Sequence, residues 1–270
     1  GVVGVSFLRN VCLQLDYNRR GLVVHGCKKF NVPIQDGFTS IPLRMEKNKP
    51  VIDVAVKIDS DPVFQLNFLL ATGSSIPIII FDDRMNMVIP DSTYAGNIGH
   101  GLGGWLVGRS ARIKSLRLGD YELANPVVYF QEIQEIPDSL PLYSRDGLLG
   151  SDLLDGFHVY IDYVHSVLYV KGRKSWQQPL DYDRSGLTIM AYGHHLDKYI
   201  IQNVAPGSPA AEVGLRRGDI IKKVGVWPAS WLSLGVINSH LRRKPGKRIR
   251  LKVIRDQVVM KKSFVLRDLL

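Results

Sequence analysis

Several short stretches hold residue types whose spacing could do chemistry. Phe68-Leu69-Leu70-Ala71 is an apolar strand-like run that leads into Thr72-Gly73-Ser74-Ser75. Glycine there permits a tight turn and close backbone approach, with hydroxyls on either side of it. The segment 95–106 alternates glycine with apolar residues, through Gly99, His100, Gly101, Gly103 and Trp105. Such a hairpin tip can fold over an extended peptide, exclude water and offer backbone hydrogen bonds. Trp105 is expected to anchor it by packing, and His100 to be an exposed loop histidine. Gly147-Leu148-Leu149-Gly150, followed by Ser151-Asp152-Leu153-Leu154, reads as a strand entering a short helix. His194-His195 with Asp197 invites a metal reading. Adjacent strand residues point to opposite faces, however, so a solvent-facing loop pair is expected and no metal site is assigned.

The elements around these stretches are mostly β. Runs such as Ile52 to Ile58, Phe64 to Leu70, Pro126 to Phe130 and Val167 to Val170 are bounded by Gly, Pro, Asp or Asn. Convincing helix is scarce before residue 200. A charged stretch from Gln177 to Ser185 reads as a linker. Beyond it the pattern changes to strands with a helix start at Ser208-Pro209-Ala210 and a second helix near Leu232 to Leu241. The chain has 270 residues, 45% apolar and 22% charged, which suits two globular domains, and no run reaches the length of a membrane-spanning helix. The net charge is +10. Its densest runs, Arg242-Arg243-Lys244 with Lys247-Arg248 and Lys261-Lys262, read as solvated faces and turns rather than a nucleic-acid footprint. Two cysteines, Cys12 and Cys27, exclude a disulfide scaffold and a four-cysteine zinc site. A hairpin turning at Asn18-Arg19 would bring them near each other, and two thiols are the expected state.

An internal repeat organises the first two thirds. Gly1 falls on Gly147, Gly4 on Gly150, Leu8 on Leu154, Asp16 on Asp162, Tyr17 on Tyr163, Leu22 on Leu168, Val24 on Val170 and Gly26 on Gly172. Both copies predict the same unit: apolar-apolar-Gly, a short helix, a strand, an Asp-Tyr turn and a return strand.

Taken together, the turn at Ala71 to Ser75, the glycine-rich hairpin and the Leu148-Leu149-Gly150 signature resemble a lobe of the retropepsin/pepsin-like aspartic peptidases. The resemblance implies a mainly β chain: a retropepsin-like β-barrel lobe over 31–176, preceded over 1–30 by the end of an N-terminal lobe. It implies peptide-bond hydrolysis by two aspartates and an activated water, without cofactor. Ala71 stands where the family has its aspartate, with Thr72 and Gly73 completing the motif, so this form is expected to be inactive. An engineered inactivation and a natural pseudo-peptidase that binds without cutting both fit. The second aspartate would come from a missing N-terminal fragment or from a homodimer mate. Residues 183–270 resemble a PDZ module of bacterial peptidases, an α+β fold, through the stretch from Tyr199 to Ile221 with its Ser208-Pro209-Ala210 and Gly218-Asp219. By that resemblance Gly186, Leu187, Thr188 and Ile189 form the peptide-binding loop and strand, and the partners are peptides or proteins, with neither nucleic acid nor membrane insertion. The family is commonly exported and bacterial.

Overall fold

The computed structural model describes residues 4–26, 36–60, 62–81, 88–101, 104–131, 145–178, 180 and 182–270. Cys27 and Gly103 therefore lie outside the described residues. The chain divides into two compact units, one of residues 1–93 and 111–180, the other of residues 94–110 and 181–270.

The first unit opens with α1 (Val5–Leu8), β1 (Val11–Asp16) and β2 (Gly21–Gly26). Then come β3 (Thr39–Pro42), β4 (Arg44–Glu46), β5 (Lys49–Lys57), β6 (Phe64–Ala71) and β7 (Ile78–Phe81). The hairpin of β8 (Thr93–Gly101) and β9 (Gly104–Arg112), next in the chain, belongs to the second unit except at its two ends, and the first unit resumes with β10 (Ser115–Leu118), β11 (Tyr121–Ala124) and β12 (Val127–Gln131). The unit closes with β13 (Gly147–Gly150), α2 (Ser151–Leu154), β14 (Phe157–Asp162) and β15 (Val167–Gly172).

Among the described residues the repeat is reproduced, since α1, β1 and β2 have the same lengths and spacings as α2, β14 and β15, while Gly1 lies outside them. One local device closes both hairpins. Asp16 accepts the amide of Arg19 at 3.0 Å, and Asp162 accepts the amides of Val164 and His165 at 3.0 and 2.9 Å. Each turn then passes through one left-handed residue, Arg20 at φ 53° and Ser166 at φ 56°. Asp suits this place because its short side chain bonds the backbone two or three residues on. The copies meet at β1 and β14, which pair antiparallel with Gln14 opposite Tyr160. Those two residues are equivalent in the repeat, so a local two-fold axis passes between them. The sheet runs β2-β1-β14-β15-β3.

A second sheet runs β11-β10-β5-β6-β13-β7-β12, with β4 on the side of β5. Its strands bury alternating or continuous apolar runs, including Val54, Val56, Leu66, Phe68, Ile78 and Ile80. These strand orders are open. The expected retropepsin-like closed barrel is therefore corrected: the strands are present, and each sheet ends in edge strands instead of closing on itself.

In the second unit a sheet runs β16 (Leu187–Tyr192), β17 (Lys198–Val204), β18 (Ile220–Val224), β20 (Arg248–Arg255) and β21 (Val258–Val265), with β19 (Trp227–Pro228) on the side of β18. Two helices pack with it, α3 (Pro209–Glu212) and α4 (Leu234–Leu241). α3 begins at the expected cap, Ser208, which accepts the amide of Ala211, and α4 begins at Ser233, which accepts that of Val236. The core is separate from that of the first unit and gathers Leu187, Ile189, Ile201, Ile237, Leu251 and Val253 around Tyr199.

Candidate functional site

The turn at Ala71 and the Leu148-Leu149-Gly150 signature do come together. β6 and β13 run parallel with Ala71 opposite Gly150. The Ser151 amide and hydroxyl donate to the Ser74 carbonyl at 2.7 and 2.8 Å, and the Gly150 amide donates to Pro77 at 2.9 Å. Gly150 is required there, because a Cβ would stand 2.0 Å from the Ile76 carbonyl oxygen and 2.6 Å from that of Ser74. Thr72 and Gly73 lie in the turn that follows Ala71. What assembles is a turn of backbone and hydroxyl groups, and the facing pair Ala71 and Gly150 carries no carboxylate. Gly99 and Gly101 lie on β8 and Trp105 on β9. Among the described residues no group of three metal-ligating side chains comes together, and His194 and His195 sit as a ring pair in the β16–β17 turn, centroids 5.0 Å apart.

The more developed site is at the start of β16. Asp183, Arg184, Ser185 and Gly186 form a loop, the first three of them from the stretch expected to be a linker. The Asp183 carboxylate accepts the amides of Ser185 at 3.0 Å and Gly186 at 2.6 Å, and the Ser185 hydroxyl at 3.0 and 2.9 Å. Ser185 in turn accepts the amide of Leu187 at 3.1 Å. Burial raises the Asp183 carboxyl to about 6, against the lowering effect of the Ser185 hydroxyl and the loop amides. Gly186 has φ +78°, which favours glycine, and a Cβ would stand 2.2 Å from Ser208 Cβ and 2.8 Å from Tyr94 Oη. Tyr94, on the β8 strand, thus seals the loop from above within the same compact unit. Its hydroxyl is pushed up chiefly by burial.

The loop is tied at both ends. The Arg184 amide donates to Leu241 at 3.1 Å and its guanidinium to the Arg242 carbonyl at 2.6 Å, which fastens the loop to the C-terminus of α4. The same guanidinium lies 4.4 Å from the Tyr182 ring centroid, a cation–π contact. The Ser185 carbonyl accepts the amide of Ala210 at 3.1 Å, which fastens it to α3. From this anchor β16 runs out as the end strand of its sheet, with a register shift between Thr188 and Ile189. α4 packs beside it, burying Ile237 and Leu241 and leaving Val236 exposed. The sequence placed Gly186 to Ile189 here. It did not single out Asp183, Arg184 or Tyr94; the spacing of Asp183 before Ser185 and Gly186 was the available signal, since such side chains cap a turn.

On the far side of the same sheet Asp219 is fully buried and receives Arg255 at 2.6 and 2.7 Å. It also accepts the amide of Arg216 at 3.0 Å, in the turn that precedes it.

Residues 180–263 match the PDZ domain family. No curated protein matches the chain. Among solved structures, a photosystem II D1 C-terminal processing protease is 22% identical over 32% of this chain and 23% of its own, with TM-score 0.29. The PDZ domain of HtrA3 bound to a phage-derived ligand is 22% identical over 32% of this chain and 86% of its own, with TM-score 0.27. A serine endoprotease from Yersinia pestis is 15% identical over 94% of this chain and 74% of its own, with TM-score 0.31. The aspartic-peptidase expectation is corrected: Ala71 faces Gly150 with no carboxylate on either, the matched family is PDZ, and the neighbours named are a processing protease, an HtrA3 PDZ domain and a serine endoprotease. The aspartyl dyad, the pepsin-like and retropepsin-like descriptions, and the inactivated or pseudo-peptidase forms built on them are withdrawn. No helix among the described residues is long and apolar enough to cross a membrane.

Proposed function

We propose that the PDZ domain captures the C-terminal end of a peptide or protein, laid as an added strand along β16 with its terminal carboxylate at the loop that begins at Gly186. The observation that carries this reading is the unpaired edge of β16 beside α4, starting from a loop whose backbone is locked by Asp183, Arg184 and Ser208. Strand addition supplies backbone hydrogen bonds, and alternate side chains of the peptide enter the apolar side between β16 and α4. Preorganisation lowers the ordering cost on binding, because the loop is already held. Thr188 and Ile189 follow directly on the locked loop, where the incoming carboxylate ends. The amides of Ser185 and Gly186 are taken by Asp183 and that of Leu187 by Ser185. The outward-facing amide of the Thr188–Ile189 pair, at the register shift, is therefore the one left for the capture.

The test is selection from a peptide library with free C-termini, followed by polarisation assays on the best binder and its C-terminally amidated twin. Loss of at least about tenfold in affinity on amidation, equal to ~1.4 kcal/mol, is the expected result. Equal binding of acid and amide would remove the loop from the reading, and failure to select any peptide would remove the groove.

A further inference from the structure

Counted along the chain, the cations are not evenly spread. Residues 181–270 hold 17 Lys and Arg against 7 Asp and Glu, which accounts for the whole +10, while residues 1–180 balance at 18 of each. The strand registers show where much of this charge stands. Lys223 of β18 is opposite Lys252 of β20, and Lys252 is opposite Lys261 of β21. Residues directly opposite share a face, and successive residues alternate. Ile249, Leu251 and Val253 of β20 are buried in the core, so Arg248, Arg250 and Lys252 are on the outer face. Two residues along from Lys252 and Lys261, on the same face, lies a second row in register: Met190, Ile200, Ile220, Ile254 and Val259, across all five strands. Val259 is 50% exposed, and Arg248, Arg250, Lys223 and Lys261 are exposed in the whole chain.

Like charges directly opposite on a sheet destabilise it. Three lysines in line, with no Asp or Glu at any outward strand position of this face, are therefore a cost that folding alone does not recover. An anionic partner relieves it. The partner must also accept an aliphatic row beside the cations. Single-stranded nucleic acid is held on sheets by several stacked aromatic rings, and this face offers Tyr192 at its far end, with aliphatic, cationic or small polar side chains such as Ser263 elsewhere. We propose that the outer face of this sheet docks on an anionic lipid bilayer, with Lys223, Lys252, Lys261, Arg248 and Arg250 among the headgroups and the Ile220-Ile254-Val259 row against the interface. Each cation near such a surface contributes about 1 kcal/mol, lost as salt screens it.

The experiment is sedimentation of the full chain with vesicles of phosphatidylcholine alone or of equal parts phosphatidylcholine and phosphatidylglycerol, at low and at high salt. The wild type should partition onto the anionic vesicles at low salt and leave them at high salt. K252Q/K261Q should lower that partition about 30-fold, five-fold for each cation. R216Q/R217Q, an equal loss of charge in the turn ahead of β18, should change it little. Thermal melts monitor folding, and K223Q, at an exposed position, gives the same comparison at about five-fold should the double variant melt early. Equal partition onto neutral vesicles, absence of sedimentation at low salt, or an equal effect of R216Q/R217Q would overturn the proposal. So would binding of an oligonucleotide that K252Q/K261Q abolishes while vesicles are ignored.

Discussion

Asp183 is a residue whose environment makes a measurable demand. Its carboxyl is raised to about 6 by burial, whereas in the unfolded chain it titrates near ~3.9. Between those values the folded state keeps a proton that the unfolded state has released. Stability therefore falls as pH rises from about 4 to about 6 and is flat above, with a full amplitude on the order of 3 kcal/mol. Denaturant titrations of wild type and Asp183→Asn across that range check it, and the variant should lack the slope. Gly186 gives a second test. Its positive φ alone costs an L-residue roughly 1–2 kcal/mol, and a Cβ would collide with Ser208. Gly186→Ala should lower the melting temperature of the C-terminal unit, and an unchanged melt would show that the loop moves freely. At this scale the sequence was readable where a residue type has one use, as with the capping Ser208 or the turn-forming Asp16 and Asp162. It was opaque where the use depends on distant neighbours. Tyr94 reaches Gly186 across ninety positions of sequence, and no local pattern encodes that meeting.

Elements were legible to the extent that they are periodic. α4, the cap of α3 and the alternating strand β6 follow from spacing, and the duplicated helix-strand-turn-strand unit follows from self-similarity. Sheet closure did not follow, because which strands meet at an edge is decided by long-range register and not by any strand's own residues. The aspartic-peptidase reading failed for a related reason. A turn of Thr, Gly and Ser after an apolar strand fixes backbone geometry but carries no chemistry without a carboxylate, and position 71 is alanine. Within β20, Arg255 reaches the fully buried Asp219 in a two-pronged contact and also bonds the Gly214 carbonyl at 2.8 Å. Removing one partner leaves a buried charge alone, so Arg255→Ala should cost about 3–5 kcal/mol, as read from chemical denaturation. A cost under about 1 kcal/mol, the range of exposed pairs, would place the contact in water.

For the whole molecule, two separate cores predict two unfolding events. One gathers residues such as Val54, Phe68 and Ile161, the other residues such as Ile201, Ile237 and Val253. Calorimetry should resolve two transitions, and Arg255→Ala should move only the one belonging to residues 181–270. A single transition that shifts as a whole would show the cores to be thermodynamically coupled. Charge is divided in the same way as apolar packing, with one electrically balanced unit and one cationic unit, so salt should affect their surfaces unequally.

The junction of β1 with β14 has a consequence for how the chain finds its fold. Gln14 and Tyr160 occupy equivalent places in two copies of one unit. Each strand therefore offers nearly the same edge to its twin in the same chain as to the corresponding strand in a neighbouring chain. Closing the pair within one chain means bridging more than a hundred residues, while pairing between chains becomes easier with every increase in concentration. Exchange of hairpins between molecules is the natural error of such a duplicated sheet, and dilution is what favours pairing within one chain during refolding.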